Sequence, residues 1–425
     1  MFSFRVEEEP MNDKEIVWVT ELILDSSLHK TTYFEILTNL SKKGYHTLLF
    51  GMRSRKNLGP VTTEENSGSR SFDPPRFFFV PVRYLPVIAP AIHALVLTFL
   101  LPAYIVRSNP DFVIMSPDIS IISSIPVLFL SKFKKTKLIL DIRSTPVDTR
   151  GLRGSLVKFC FNISVLIARR FFSGITIITP MMRKEVSGKF SLNSKRIGVW
   201  SSGVSIELFD PKGWDRQGAE LRTKMGLSGK FVVLYHGWFS TSRGINETIE
   251  AIRMLSQSNS DIVFFLLGSG PSVLELKSIV KKENIQTNVI IHDNVEYENV
   301  PKYIALCNVG IVPLPDIPYW RFQSPLKLLE YLAMGKVVIL TDIPAHRSII
   351  GEEECGIYIS SAKPIEIAKA IEYAYHNKEK LEEWGKSGPT IIGLNYTWEK
   401  IVRDLENYLL SIDETVALGA KYGKE

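Results

Sequence analysis

Short runs of β-branched and aromatic residues alternate with helix-length segments in two successive series, and this alternation restricts the chain to parallel sheets covered by helices. The first series comprises residues 16–20 (IVWVT), 47–51 (TLLFG), 77–82 (FFFVPV), 112–116 (FVIMS), 137–141 (KLILD) and 175–179 (ITIIT). The second comprises residues 231–236 (FVVLYH), 262–267 (IVFFLL), 288–292 (NVIIH), 309–314 (VGIVPL) and 337–341 (VVILT). Parallel neighbours need crossover connections, which the intervening helical segments supply. The chain is therefore predicted to be α/β, with two doubly wound sheets in tandem. Its 425 residues are enough for two cores. The stretch DPKGWDRQG (210–218), rich in Gly, Pro and charge, predicts the linker between them. TWEKIVRDLENYLLSI (397–412) predicts a terminal helix, followed by a polar tail that frays.

Charge divides the chain. Residues 1–200 carry 27 Lys and Arg against 16 Asp and Glu, whereas the remainder carries 24 against 29. The excess is densest from Lys132 to Arg196, where 15 basic residues face only Asp141, Asp148 and Glu185. Such a patch attracts polyanions or anionic lipid. No zinc finger, RNA-recognition signature or helix-turn-helix pattern accompanies it, so no nucleic-acid partner is expected. Cys160, Cys307 and Cys355 are far apart and form no CxxC, which supports neither a disulfide framework nor a zinc site and suits a reducing cytoplasm. The opening MFSFRVEEEP is acidic and lacks the basic-then-apolar order of a secretory signal.

Residues 85–106 carry no formal charge over 22 positions, long enough to cross a bilayer. A crossing would place the strands at 77–82 and 112–116 on opposite sides of the membrane, so it is set aside in favour of two open readings. One is a helix dipping into the lipid interface and the other is an ordinary core helix. The same choice covers residues 155–172, whose apolar face is edged by Lys158, Arg169 and Arg170.

In doubly wound sheets ligands sit at the carboxyl ends of strands, and three such places carry suggestive chemistry. After His236 comes Gly237, a turn, and Arg243-Gly244 opening a helix, an arrangement suited to a diphosphate. The alternative is a capped helix with a solvated arginine. After Leu267 comes GSGP (268–271), a tight turn at the same rim. In FQSPLKLLEYLAMGKVVILT (322–341), Ser324 is predicted to cap a helix with Pro325 at its first position, leaving amides free for phosphate. Lys327 adds positive charge, and Glu330 stands on the same side, where a carboxylate can accept both hydroxyls of a ribose. The alternative is a solvated Lys–Glu pair on an exposed helix face.

These elements resemble family 4 of the retaining glycosyltransferases, the large group of GT-B enzymes. GWFSTSRG (237–244) resembles the family's glycine, turn and basic-Gly element, and SPLKLLEYLAMGKVVILTDIPAHRSII (324–350) its nucleotide-binding helix and following strand. Residues 288–314 resemble the segment whose loop holds the base, 199–211 the interdomain turn, and 397–401 the start of a terminal helix that crosses back to the first domain. LILDIRSTPVD (138–148) resembles the acceptor loop, with Ser144 where an aspartate is usual. Trp238 stands where a second basic residue is usual, Phe322 where a glutamate normally touches the sugar, and the glycine pair of the first loop is missing from residues 16–37.

The resemblance implies two Rossmann-like domains facing across a cleft: residues 1–204 for the acceptor, with helix 396–412 packing back on them, and residues 205–395 for a nucleotide-sugar. It implies that Arg243 and Lys327 neutralise the donor diphosphate and that Glu330 binds the ribose. Gly237, Gly268, Val295, Ser324, Pro325 and Leu326 would lie on the donor side, Asp141 and Arg143 near the acceptor. It further implies no metal or other cofactor, a hexose passed from a UDP- or GDP-sugar with retention, and closure of the cleft. The apolar, basic first half adds the expectation of a lipid-linked or cell-surface glycan acceptor and a peripheral position on the cytoplasmic face of a membrane. Trp238 and Phe322 motivate the alternative of a non-catalytic GT-B subunit that binds a membrane or protein partner. A sugar-nucleotide epimerase would need a histidine and carboxylate cluster, which the seven histidines do not form in sequence.

Overall fold

The computed structural model describes residues 13–23, 30–54, 73–82, 88–131, 133–146 and 151–422. The acidic opening, residues 24–29 of the first loop, the start of the 85–106 segment and Asp148 lie outside the described residues. The chain divides into two compact units, Met1–Trp200 with Val402–Glu425, and Ser201–Ile401. The sequence-based boundaries were 204/205 and 395/396.

The first unit is a seven-stranded parallel sheet. Its strands are β1 (Glu15–Ile23), β2 (His46–Ser54), β3 (Arg76–Val82), β4 (Phe112–Met115), β5 (Lys137–Ile142), β6 (Gly174–Ile177) and β7 (Ile197–Val199). Helices α1 (Lys30–Lys42), α2 (Ile88–Ser108), α3 (Ser124–Leu130), α4 (Gly151–Phe171) and α5 (Pro180–Phe190) connect them. The order β3-β2-β1-β4-β5-β6-β7 makes the space between β1 and β4 the switch point, where crossovers leave in opposite directions. Burial is complete along β4 and β5, which explains their unbroken apolar runs. The three-residue β7 is too short for its composition to announce it.

Helix α2 fills the segment whose nature the sequence left open. It packs inward through Ala89, Ala94, Leu97, Leu101 and Ile105, and it is the crossover between β3 and β4, both members of one sheet. Its outer face is also apolar: Leu95 is 62% and Phe99 70% exposed. Only a third of its most apolar window is buried (33%), and α4, likewise long and apolar enough to cross a membrane, is buried over 28%. Phe159 on α4 and Phe129 on α3 are exposed as well.

The second unit contains a six-stranded parallel sheet in the order β10-β9-β8-β11-β12-β13. The strands are β8 (Phe231–Trp238), β9 (Ile262–Ser269), β10 (Val289–His292), β11 (Val309–Val312), β12 (Val337–Thr341) and β13 (Gly356–Ile359). Around them lie α6 (Pro211–Lys224), α7 (Ile245–Ser256), α8 (Val273–Lys282), α9 (Val300–Leu306), α10 (Leu326–Ala333), α11 (Pro344–Ile350), α12 (Pro364–His376), α13 (Leu381–Gly385) and α14 (Ser387–Asn395). Two apolar clusters, one centred on Leu234, Phe265 and Leu332 and the other on Val233, Phe264 and Ile252, form its core.

The expected linker 210–218 is instead the start of α6. Asp210 caps it by accepting from the Lys212 amide at 3.1 Å, and Pro211 is its first residue, where the missing N–H costs nothing. Gly218 is a packing residue, since a Cβ there would lie 2.5 Å from the Ala305 Cβ of α9. The loop-forming residue types thus serve as a helix cap, a helix start and a close contact.

Helix α15 (Trp398–Tyr422) also departs from expectation, continuing ten residues past the predicted end at 412. It begins in the second unit, where Thr397 bridges Val204, and from Val402 onward belongs to the first. There the Tyr408 hydroxyl accepts from the Ile175 amide at 3.0 Å and donates to the Arg196 carbonyl at 2.6 Å. Its ring fills the space that side chains at Gly174 and Gly198 would occupy. Lys14 and Lys137 both pair with Asp413, and Lys43 with Glu406 at 2.7 Å. Tyr408→Ala removes the ring and strands the Ile175 amide, and is expected to lower stability by about 2–4 kcal/mol. Urea unfolding followed by tryptophan fluorescence measures this, and an unchanged midpoint contradicts the anchoring role.

Candidate active site

At the switch point of the second sheet, between β8 and β11, the chain uses glycine where backbones nearly touch. A Cβ at Gly268 would lie 2.0 Å from the Gly237 carbonyl oxygen, and φ there is 147°. Gly244 (φ 72°) caps α7, and a Cβ on it would lie 2.0 Å from the Pro313 carbonyl oxygen. These two positions close the rims of β8, β9 and β11 tightly enough for side chains from α10 to reach β8.

Lys327 does so. Its ammonium sits 3.4 Å from the centroid of the Tyr235 ring, is buried, and has no hydrogen-bond partner among the described residues. A Cβ added to Gly237 would lie 3.5 Å from it. Arg243 lies near the hydroxyl of the same Tyr235, which donates to the Trp238 carbonyl at 3.0 Å, and its guanidinium lies 4.8 Å from the centroid of Trp320. Two cations thus meet on one tyrosine, one on the ring face and the other at the phenol oxygen. Burial, and then Arg243, hold the Lys327 ammonium well below its ordinary range, while Glu330 pulls the other way. The readings of a solvated arginine and a surface Lys–Glu pair therefore fail, for Lys327 and Glu330 are both buried and Arg243 is half-buried.

Glu330 faces His236, whose Nε2 lies 3.4 Å from its carboxylate. Burial and Lys327 push the imidazole well below its ordinary pKa, so this is a neutral contact and not an ion pair. Burial raises the Glu330 carboxyl to about 7, against the opposing pull of the Tyr297 hydroxyl and Lys327. Val295 lies half-buried in the loop between β10 and Tyr297, so the predicted base loop and the predicted ribose ligand belong to one region.

The helix entry differs from expectation. Ser324 does not cap α10; the cap position is Pro325, extended at ψ 109°, with no side-chain cap bond. Ser324 is drawn away instead: its Oγ accepts from the Ser201 hydroxyl at 2.9 Å and its carbonyl from Ser202 at 3.2 Å. Leu326 and Lys327 open the helix, so its first amides remain without a side-chain acceptor.

In the first unit Asp141 and Arg143 come together at the end of β5, joined by Trp200. Asp141 Oδ1 accepts from Thr176 Oγ1 at 2.7 Å and from Trp200 Nε1 at 3.0 Å. Arg143 stacks 3.6 Å from the centroid of Trp200 and donates to its carbonyl at 2.7 Å. Burial raises the Asp141 carboxyl to about 6 despite Arg143, Thr176 and Trp200. Tyr235, His236, Tyr297, Trp320 and Trp200 were not among the residues predicted for the site. The signal for the first two was their place immediately before Gly237, whereas the others reach their partners only through tertiary contacts.

Comparison with known proteins bears on the family and the fold. Residues 219–390 match the family model described as glycosyl transferases group 1. An alpha-D-kanosaminyltransferase of Streptomyces kanamyceticus is 23% identical over 231 residues, covering 54% of this chain and 58% of that protein. The putative teichuronic acid biosynthesis glycosyltransferase TuaH of Bacillus subtilis is 28% identical over 200 residues, 47% of each chain. Each alignment spans less than two thirds of the relative's length. Among solved structures, a sucrose-phosphate synthase of Thermosynechococcus elongatus superposes with a TM-score of 0.76 at 16% identity, covering 95% of this chain and 100% of that one. Anabaena HepE, solved with UDP and glucose, gives 0.69 at 13% identity, covering 93% and 99%. The shared fold is that of GT-B glycosyltransferases, with two Rossmann-like parallel sheets. Through residues 219–390 the chain is similar to the glycosyl transferases group 1 family.

Proposed function

We propose that the chain is a retaining, metal-independent glycosyltransferase that moves a hexose from a UDP- or GDP-sugar to a lipid-linked or cell-surface glycan acceptor. The observation that carries this reading is the meeting of Lys327 and Arg243 on Tyr235, with Glu330 beside them at the carboxyl ends of the second sheet. A desolvated ammonium without a hydrogen-bond partner is costly, and a diphosphate offsets that cost by supplying both charge and acceptors. In the transition state negative charge grows on the leaving phosphate, and the same two cations stabilise it, in the role a divalent ion would otherwise play. Glu330 takes the ribose hydroxyls, the Val295 loop holds the base, and Gly237 and Gly268 allow the donor close to the backbone. The leaving phosphate accepts the acceptor proton, so the mechanism needs no carboxylate at the positions of Trp238 and Phe322. Those two residues favour the alternative of a non-catalytic subunit, which the transfer assay below separates.

UDP and GDP are the probes for the donor site. Saturating ligand is expected to raise Tm by the equivalent of about 2–3 kcal/mol at a hundredfold excess over Kd. Lys327→Met removes the desolvated charge, so the unliganded protein gains stability, on the order of 1 kcal/mol, and its Tm rises, while the nucleotide-dependent increase in Tm is lost. Lys327→Ala and Glu330→Ala abolish sugar transfer and hydrolysis. A diphosphate raises the pKa of the depressed ammonium back toward its ordinary value, so binding takes up protons at pH values between the two and weakens as pH rises through that range. Calorimetry in two buffers of different ionisation enthalpy reads the uptake. A full nucleotide response in Lys327→Met sinks the donor-site assignment.

The outer faces of α2, α3 and α4, apolar and edged by Lys158 and Arg170, support a peripheral position on the cytoplasmic face of a membrane. Sedimentation with anionic liposomes at low and high salt tests it. Binding is expected at low salt and is expected to weaken in Phe99→Asp and Phe159→Asp, whose side chains are exposed. No association at either salt concentration rejects the membrane reading.

A further inference from the structure

A cavity of about 330 Å³ opens in the first unit, at the switch point between β1 and β4. Its polar wall is made by Glu21 at the end of β1, Asp118 after β4, Asp141 and Arg143 after β5, and Arg153 from α4. Its apolar wall is made by Pro90 of α2 and by Leu156, Val157 and Phe161 of α4. The helices that close the cavity are therefore among those whose outer faces carry exposed apolar side chains.

The fold accounts for part of this charge. Asp141 is tied to Thr176 and Trp200, and Arg143 to Trp200, so both have structural partners. Asp118 Oδ1 accepts from the Ser120 amide at 2.8 Å, which caps the turn after β4. Glu21 faces Asp118, with Arg153 as an opposing charge. Burial, and then the neighbouring Asp118, raise the Glu21 carboxyl to about 8, while burial raises Asp118 to about 6. Near neutral pH the pair retains one proton and so presents both a donor and several acceptors. Sugar hydroxyls each donate and accept, and the C–H faces of a sugar ring pack on groups such as Leu156 and Phe161. A phosphate would instead have to compete for arginines that already face carboxyl groups, Arg143 beside Asp141 and Arg153 beside Glu21.

We propose that this cavity binds an uncharged sugar ring of the acceptor, read by Glu21 and Asp118, with an apolar chain leaving that ring past α2 and α4. The inference rests on the glycosyltransferase reading above and adds to it the class of acceptor, a glycolipid with a neutral sugar head. Glu21 and Asp118 hold the ring hydroxyls, the apolar wall excludes water from its C–H face, and the exposed apolar helix faces receive the chain.

Cys160 supplies the readout. It lines the cavity and is half-buried, whereas Cys307 and Cys355 are buried. N-ethylmaleimide should therefore modify wild type at Cys160 and leave Cys160→Ser unmodified. Octyl glucoside, octyl galactoside and octyl mannoside, each below its micelle concentration, are the probes, with free glucose and octyl phosphate as comparison arms. At least one octyl glycoside is expected to slow modification fivefold or more, with free glucose weaker and octyl phosphate without effect. Glu21→Gln or Asp118→Asn should raise the half-protecting concentration at least tenfold. Protection by octyl phosphate equal to that by the best glycoside overturns the proposal, as does absence of protection by all three glycosides or protection unchanged in both variants. Urea midpoints close to that of wild type show that the variants are folded, and the rise of Tm with UDP or GDP, measured on the same samples, reports the second unit. Its absence in wild type counts against the donor reading and not against the cavity.

Discussion

The second unit is organised around a tyrosine that holds two cations. Lys327 lies against the face of Tyr235 and Arg243 lies near its hydroxyl, so charges that would otherwise repel are kept at one place by an aromatic quadrupole and a phenol oxygen. Everything nearby serves that arrangement. Gly268 and Gly244 let the backbones of β8, β9 and β11 approach closely, α10 delivers Lys327 from the side, and Trp320 covers Arg243. The cost is a desolvated ammonium without a hydrogen-bond partner among the described residues, a strain that proteins keep at sites where a ligand relieves it.

The first unit poses a different problem, because two of its helices, α2 and α4, are apolar on both sides. Leu97 and Leu101 of α2 meet the core while Leu95 and Phe99 face outward, so the helix contributes equally apolar surface to the interior and to the exterior. Placing that surface beside a cavity whose polar wall contains Glu21 and Asp118 joins a hydroxyl-binding chemistry to an apolar exit within one sheet. The raised carboxyls of Glu21, Asp118 and Asp141 share one cause, poor hydration at the switch point, with Arg143 and the Ser120 amide limiting the shift at individual members.

Several features of the sequence were read for the wrong reason. Asp210, Pro211 and Gly218 have the composition of a linker, yet each is used by a helix, because capping, first-turn placement and close packing draw on the residue types that loops also use. Ser324 looked like a cap because Ser followed by Pro usually is one. The hydroxyls of Ser201 and Ser202, distant in sequence, pull it from that position. Strands β7 and β13, of three and four residues, were missed because so few residues carry no period.

Strand identity, parallel pairing and the two-sheet architecture were determined by the sequence itself, because fully buried parallel strands require unbroken apolar runs and their crossovers require helices between them. The candidate residues Arg243, Lys327 and Glu330 were also legible, since they follow strand ends at helix entries. Which tyrosine unites them, how far each is desolvated, and that Trp200 ties Asp141 to Arg143 were decided only by tertiary structure. Those contacts join residues from separate crossovers, and burial, which sets their protonation, is a property of the packed unit and not of any segment within it.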